Sequence, residues 1–228
     1  TKVIGDGWHA SVAVTGDDIG NDSTASDTIA YLLRAHWNPL RGQAGFLHLG
    51  GWYWYEDLGQ DVGSINKTSP IALGWNGNVR VSASSIANVT DNRAWGLELG
   101  GVYGPVWAFA EHTTRTIESR TVDPVDQQAT SIYAGWLITG ERPGFSSRSG
   151  VWGTTRVLRP VQEGGIGAFE LAARYDRYDF LDAARGGEGT AWTLGLNWYL
   201  NNWSRLMLNY VHWKTDNKVG NAQGPDSG

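Results

Sequence analysis

The sequence predicts an all-β protein built as a transmembrane antiparallel β-barrel, and three observations support this fold class. Large apolar residues alternate with small or polar residues over segments of about ten residues, and this period of two fits strands rather than helices. The chain contains 31 Gly, 13 Trp and 9 Tyr, a composition typical of strands that end in aromatic belts. No apolar run in the sequence approaches the ~18 to 20 residues that a membrane-spanning helix needs.

The alternation predicts nine strands within one domain, residues 1–228. A strand of about ten residues rises ~33 Å, which is enough to cross the ~25 Å apolar band of an outer membrane when the strand is tilted. Strands of ordinary soluble proteins are shorter, with ~5 to 6 residues. In chain order, the predicted strands are 8–15, 28–37, 46–56, 94–103, 106–117, 131–139 and 168–178, followed by the two strands of a hairpin within 191–213.

The hairpin within 191–213 shows the alternation most clearly. One face carries the large apolar residues, which would contact lipid tails or lie near the membrane interfaces: Leu194, Leu196, Leu206 and Leu208 in the first group, and Trp192, Trp198, Trp203 and Tyr210 in the second. The opposite face would meet water inside a pore and carries Thr193, Asn197, Arg205 and Asn209. The alternative is one hairpin of a β-sandwich, whose leucines would lie in a protein core.

The connections between the predicted strands alternate in length, as in membrane barrels with short periplasmic turns and long external loops. The short connections are 38–44, 104–105 and 201–204, and the longer polar ones are 16–27, 57–93, 118–130 and 181–190. One segment breaks the pattern, because 140–167 is long although the strand count places it on the short-turn side. This segment is locally basic and could contact the pore mouth or the peptidoglycan side, but we expect a solvated connector there.

Composition also limits the chemistry available to the chain. It has no Cys, which excludes disulfides, thiolate catalysis and Cys-based metal centres. The net charge is −5 and no basic run occurs, so a nucleic acid partner is not expected. The five His lack metal-binding spacing, and the carboxylates form no recognisable catalytic pair. We therefore predict no enzymatic activity, no cofactor and no metal site.

Several segments together resemble the carboxy-terminal half of the phosphate-selective porin O/P family. They are GWLITGERPG at 135–144, GAFELAARYDRYDF at 167–180 and TLGLNWYLNNWSRLMLNYVHW at 193–213, while GFLHLGGWYWYED at 45–57 is similar to an earlier strand of the family. The resemblance is strong over 130–214 and loose elsewhere. No single one of these segments would be specific to the family, but their combination is.

The resemblance implies a sixteen-stranded, homotrimeric porin in the outer membrane of Gram-negative bacteria, surrounded by lipid and lipopolysaccharide. Such porins conduct anions past Arg and Lys residues at a constriction built by inward-folded loops. They also end in a strand that closes on a terminal aromatic residue, whereas 215–228 is a polar tail. We therefore expect the nine strands to be the seventh to fifteenth of a longer barrel, in a fragment that lacks the amino-terminal strands and the last strand.

The predicted inner face carries the candidate pore-lining residues. Charged walls select ions by sign, and Arg offers paired donors to phosphate oxygens. The candidates are the cations Arg34, Arg115, Arg174 and Arg205, the carboxylates Glu98, Glu111 and Glu170, and the polar residues His36, His48, Asn197 and Asn209. The alternative for each Arg is a structural ion pair on the wall, for example between Arg174 and Glu170 on the same strand. The alternative for each His is a solvated position on the wall, without a ligand. The sequence shows no dense Arg or Lys ladder of the kind that the family resemblance implies.

The sequence thus predicts an outer-membrane porin, a water-filled channel for passive diffusion of small hydrophilic solutes, including anions such as phosphate. The alternative is a soluble β-rich carbohydrate-binding protein or glycan hydrolase, in which Trp52, Trp54 and Trp107 would stack on sugar rings. A third hypothesis is a plugged barrel that acts as a scaffold or receptor.

Overall fold

Strands dominate the structure, a computed structural model that describes residues 1–16, 28–59, 63–74, 76–77, 79–219 and 223–228. These residues contain fifteen strands and one short 3₁₀ helix, Val161–Glu163. No helix in the described ranges has the length and apolar character required to span a membrane. The strands are β1 (Lys2–Ile4), β2 (Trp8–Gly16), β3 (Ile29–Trp37), β4 (Gly45–Asp57), β5 (Ser64–Pro70), β6 (Arg80–Ala87), β7 (Val89–Tyr103), β8 (Val106–Ser119), β9 (Val125–Leu137), β10 (Phe145–Ser146), β11 (Val151–Trp152), β12 (Ala168–Asp179), β13 (Gly187–Tyr199), β14 (Arg205–Asn217) and β15 (Gly224–Ser227).

Eleven of these strands form one antiparallel sheet in the order β1-β2-β3-β4-β7-β8-β9-β12-β13-β14-β15, with β1 and β15 at its edges. The all-β fold class is confirmed, and each of the nine predicted strands is present. The sheet also contains two short edge strands that the sequence did not predict, β1 and β15. The remaining four strands form two separate hairpins, β5–β6 and β10–β11.

The register of the sheet sorts large apolar side chains onto one face, called here the outer face. Leu194 on β13 is 55% exposed and its cross-strand partner on β14, Tyr210, is 67% exposed. Leu208, on the same face of β14, is 70% exposed. Leucines this accessible do not lie in a protein core, which is where the β-sandwich alternative would place them. The opposite face, called here the inner face, carries polar and charged side chains such as Arg34 and Glu98, together with several aromatic rings and both small hairpins.

Three aromatic rings on the inner face lie over glycines of the neighbouring strand. Trp107 on β8 pairs with Gly135 on β9, and a Cβ at Gly135 would lie only 2.5 Å from the Trp107 ring. The same arrangement joins Trp52 to Gly96 and Phe109 to Gly100. Glycine in these strands therefore provides space in which a large ring can lie against the sheet, and this accounts for part of the high Gly content.

The long connection 57–93 is not simply a loop, as the sequence predicted. It contains the β5–β6 hairpin and the first residues of β7. Ile71, Val79 and Val81 are fully buried in a cluster with Ala191 of β13, so the hairpin packs on the inner face. Gly189 leaves room for this contact, because a Cβ there would lie 2.6 Å from Val81. The segment therefore folds inward at the end of the sheet that carries the long connections.

The segment 140–167 is a solvated connector only in part: most of 151–165 is exposed, as predicted, but the hairpin within the segment is not a connector in solvent. Its hairpin, β10–β11, folds onto the inner face at the short-turn end of the sheet. The Phe145 ring centroid lies 4.8 Å from that of Phe109, and the Trp152 centroid lies 4.7 Å from that of Trp107. The basic character of the segment did not reveal the apolar contacts of these two rings.

Other connections differ from their predicted lengths. The two predicted loops 118–130 and 181–190 shorten to 120–124 and 180–186, because β8, β9 and β13 extend beyond the alternating segments. Within the predicted polar tail 215–228, β14 continues to Asn217 and β15 pairs with the end of β14. The turn at 104–105 is as short as predicted, with Gly104 in the left-handed region at φ 56. Most of the predicted loop 16–27 lies outside the described residues.

Leu32 and Leu33 provide a matched test of the two faces, because they are adjacent in the middle of β3 and both are exposed. Leu33→Arg would place a charge on the outer face, and we expect it to lower the free energy of unfolding in lipid vesicles by about 2–4 kcal/mol. Leu32→Arg places the same charge on the inner face, where the expected loss is below about 1 kcal/mol. Equilibrium unfolding in urea measures both, and equal losses would contradict the assigned faces.

Candidate functional site

All eleven candidate residues lie on the inner face, where strand pairing brings six of them into two groups and leaves five as a third set. The first group contains Arg34, His36, His48 and Glu98, on β3, β4 and β7. The second contains Glu170 and Asn197, on β12 and β13. The third consists of the remaining candidates, which line the wall between and beside these groups: Glu111, Arg115, Arg174, Arg205 and Asn209.

The first group is centred on the Glu98 carboxylate. Arg34 donates to it from Nε at 3.0 Å and from Nη2 at 2.7 Å, and His48 Nε2 lies 3.0 Å from Oε2. His48 Nδ1 lies 2.9 Å from Asn38 Oδ1. His36 and His48 are 3% and 1% exposed, so they are buried and not solvated wall residues as the sequence suggested. The paired donors of Arg34 match the geometry of a carboxylate, which makes this ion pair a specific structural contact.

The same group holds the β10–β11 hairpin against the wall. Arg34 Nη2 donates to the carbonyl oxygen of Gly150 at 3.2 Å, and Asn38 Nδ2 donates to the carbonyl oxygen of Ser147. A Cβ at Gly150 would lie 2.7 Å from the His36 ring, so the hairpin approaches His36 closely. Arg34 therefore joins the wall to the hairpin and is not free to bind a solute.

The second group surrounds the Glu170 carboxylate with uncharged donors. Trp107 Nε1 donates to it at 2.7 Å, Asn197 Nδ2 at 2.7 Å and the Tyr199 hydroxyl at 2.8 Å. Glu170 is 5% exposed, and within the described ranges no Lys or Arg lies within ion-pair distance of it. The structural ion pair that the sequence offered as the alternative for Arg174 is present, but Glu170 is not its partner. Arg174 instead binds Asp176, with its Nη2 at 2.7 Å from Oδ1, and also donates to the Ser131 hydroxyl.

Two of the four candidate arginines have no carboxylate partner among the described residues. Arg115 donates from Nε to Asn92 Oδ1 at 2.9 Å and lies over the Trp54 ring. Arg205 donates to the Tyr199 hydroxyl at 3.3 Å, with its guanidinium 5.3 Å from the centre of the Tyr199 ring. Aromatic rings and amides do not neutralise the cations that they contact. The Asn92 amide that accepts from Arg115 also donates to the Glu56 carboxylate, so Arg115 has a carboxylate nearby but not in direct contact. Arg115 and Arg205 are therefore the candidates best able to attract an anion.

The remaining candidates have simpler surroundings. The exposed Glu111 carboxylate accepts a hydrogen bond from the Tyr133 hydroxyl. Asn209 makes no side-chain hydrogen bond to any described residue and lies beside Gly195. The histidines do not assemble a metal centre, since the described part of the chain contains no group of three or more His, Cys, Asp or Glu suited to a metal ion.

Sequence reasoning missed the residues that complete these groups. Asn38 lies in a short turn and Asp176 lies two positions beyond Arg174 on the same strand face. The period-two alternation could have identified Asp176, because residues i and i+2 of a strand share a face. The contacts of Phe145 and Trp152 depend on a hairpin that carries no alternating pattern of its own.

Glu170→Gln tests the second group. One carboxylate oxygen would be replaced by an amide nitrogen, which cannot accept the hydrogen bonds that Glu170 receives. We expect the free energy of unfolding in lipid vesicles to fall by about 1–3 kcal/mol, because a buried donor loses its partner. Glu163→Gln, in the exposed 3₁₀ helix, is the matched control and should change the value by less than about 0.5 kcal/mol. Similar values for the two variants would show that Glu170 does not anchor the wall.

Comparison with known proteins is consistent with this geometry. The family model described as "Phosphate-selective porin O and P" matches residues 3–228. Porin O of Pseudomonas aeruginosa is 29% identical over 255 aligned positions, which cover 100% of this chain and 57% of that protein. An uncharacterized protein of Caulobacter vibrioides is 29% identical over 215 positions, which cover 89% of this chain and 43% of that protein. The chain spans about half the length of the curated relatives it matches. It belongs to the phosphate-selective porin O and P family, a family of bacterial outer-membrane porins.

Proposed function

We propose that the protein forms a water-filled channel for passive diffusion of small hydrophilic solutes across the outer membrane, with a preference for anions. The observation that carries the proposal is the division of the sheet into two faces. One face exposes leucines such as Leu194 and Leu208, and the other presents charged and amide side chains. A sheet sorted in this way separates lipid from water, and the inner face becomes the wall of an aqueous path.

The charges of the candidate residues favour anions. Glu98 and Asp176 are paired with Arg34 and Arg174, so these four groups contribute little net charge. Glu170 lies buried behind three hydrogen-bond donors. Among the candidates, two unpaired guanidinium groups, Arg115 and Arg205, and one exposed carboxylate, Glu111, therefore remain. This balance supports attraction of anions, of which phosphate is one candidate solute.

The open edges of the sheet bear on the architecture of the channel. Unpaired N–H and C=O groups within the membrane cost several kcal/mol each, so β1 and β15 require partners there. We assign the nine long strands to the seventh to fifteenth positions of a sixteen-stranded barrel, as the family resemblance implies. The family resemblance supports a homotrimer embedded in lipid and lipopolysaccharide, and solute passage without catalysis as its activity.

Ion selectivity in planar bilayers tests the proposal. We expect the protein to give stepwise conductance and, in a gradient of KCl, a reversal potential displaced toward the equilibrium potential of chloride. The reason is that cationic wall groups raise the local concentration of anions. An absence of conductance would contradict the channel, and a reversal potential on the potassium side would contradict the anion preference.

Glu98→Gln should increase the anion preference, because it leaves the Arg34 guanidinium without its carboxylate. A full charge about 8 Å from the ion path in water is worth about 0.5 kcal/mol, so we expect about a twofold rise in the chloride-to-potassium permeability ratio. Reversal potentials in a KCl gradient measure this ratio. Glu163→Gln, remote from the Arg34 pair, is the control. An unchanged or lower ratio for Glu98→Gln would show that the charges of the first group do not reach the ion path.

A further inference from the structure

A recess opens on the inner face at the short-turn end of the sheet, between the β10–β11 hairpin and the wall formed by β8, β9, β12, β13 and β14. Its volume is about 530 Å³. Small-molecule binding sites typically have volumes of ~300–1,000 Å³ and combine aromatic walls with a few polar groups. The recess is therefore of a size to hold an organic molecule and is much larger than a single inorganic anion.

Aromatic rings from three different parts of the chain line this recess. Trp107 and Tyr133 project from β8 and β9, with centroids 5.9 Å apart, and Trp152 of the hairpin lies edge-on to Trp107 at 4.7 Å. Tyr199 lines the side formed by β13. Trp152 is 43% exposed, so part of its surface is available to a bound molecule. Aromatic rings gain contact energy from apolar ring faces, including the C–H faces of a sugar, and little from an inorganic ion.

Two of these rings are held in place by Glu170. Its carboxylate accepts hydrogen bonds from the Trp107 indole and the Tyr199 hydroxyl, and Asn197 supplies the third donor. Gly135 allows the Trp107 ring to lie against β9, since any Cβ there would overlap it. Rings fixed by buried hydrogen bonds lose little further entropy when a ligand binds. Glu170 therefore acts as a positioning residue for the recess.

The polar lining contains two arginines, the buried Glu170 carboxylate and several uncharged groups. Of the two lining arginines, Arg174 is paired with Asp176, whereas Arg205 has no carboxylate partner in the described part of the chain. Thr193 and Asn209 line the same wall and make no side-chain hydrogen bonds to described residues. Arg205 can thus meet one anionic group, and the hydroxyl and amide can meet the hydroxyl groups of the same molecule.

From this arrangement we infer that the recess is a binding site for a sugar phosphate, a solute that joins a hydroxylated ring to one phosphate group. The ring lies against Trp152 and Tyr199, its hydroxyls face Thr193 and Asn209, and its phosphate meets Arg205. Inorganic phosphate would use the single cation and leave the aromatic walls without a partner. A neutral sugar would use the walls and leave the cation unpaired. The inference rests on the proposed channel function and specifies a solute class for it.

Block of the chloride current in planar bilayers tests the inference, with glucose 6-phosphate, glucose and inorganic phosphate as probes. We expect glucose 6-phosphate to reach half-block at a concentration about tenfold or more below that of either other probe, a ratio equivalent to ~1.4 kcal/mol of binding free energy. Absence of any current would contradict the channel function itself. If the current is normal and inorganic phosphate has the same half-blocking concentration as glucose 6-phosphate, the sugar phosphate site would be overturned. The channel function would still stand.

Three substitutions assign the contacts. Arg205→Gln should raise the half-blocking concentrations of glucose 6-phosphate and inorganic phosphate alike, by about tenfold, because each loses its charged partner. Trp152→Leu should raise the half-blocking concentration of glucose 6-phosphate about tenfold and leave that of inorganic phosphate unchanged. Trp152→Phe, which keeps a ring, should have the half-blocking concentrations of the wild type. Trp52→Leu removes an inner-face ring that lies outside the recess. It is the control and should leave the half-blocking concentrations of all probes unchanged.

The variants also separate loss of fold from loss of contact. A Trp152→Leu protein that conducts normally and is blocked normally by inorganic phosphate has an intact channel, so its weaker block by glucose 6-phosphate would support the site. Equal block of the wild type, Trp152→Leu and Trp152→Phe proteins by glucose 6-phosphate would overturn it. An effect of Trp52→Leu as large as that of Trp152→Leu would overturn the location of the site in this recess.

Discussion

The hydrogen bonding of the backbone is the constraint on which the rest of this structure depends. Within a membrane, N–H and C=O groups find no water, so they must pair between neighbouring strands. An antiparallel sheet meets this requirement for every strand between its edges, and its period of two then assigns each side chain to one of two faces. A slip of one residue would exchange the faces and put Arg205 in place of Leu206 against lipid. The register is therefore fixed by the whole alternating sequence.

The inner face is less uniform than this sorting alone suggests, because two hairpins fold onto it from opposite ends of the sheet. The β5–β6 hairpin brings an apolar cluster around Ile71 to the long-loop end, and β10–β11 brings Phe145 and Trp152 to the short-turn end. Each hairpin needs apolar side chains beneath it, so the wall is locally apolar at both ends. Polar wall groups lie between and around these contacts, and some of them, such as Arg34, hold a hairpin in place.

The sequence predicted the strands and their faces well, because each strand carries its own periodic signal. The alternation is weak in β8, since Trp107 and Phe109 are apolar residues on the inner face. Their apolar character has a reason that only the structure shows, namely the hairpin packed over them. The hairpins themselves were missed because their strands are short and their contacts are distant in sequence. Pairing of Arg174 with Glu170 was a weaker inference, because residues four apart in a strand are separated by ~13 Å, whereas Asp176 is only ~7 Å away.

These features explain why a wall rich in charged residues leaves few charges available to a solute. Arg34 and Arg174 are engaged by Glu98 and Asp176, and Glu170 is engaged by uncharged donors that it orients. The charges that build the wall are therefore distinct from those that can act on a passing molecule. The recess beside β10–β11 illustrates the consequence, since its selectivity depends on Arg205 and on exposed ring surface. The β10–β11 hairpin thus determines which side chains of the wall a solute can reach, because it covers Phe109 and leaves part of Trp152 and Arg205 exposed.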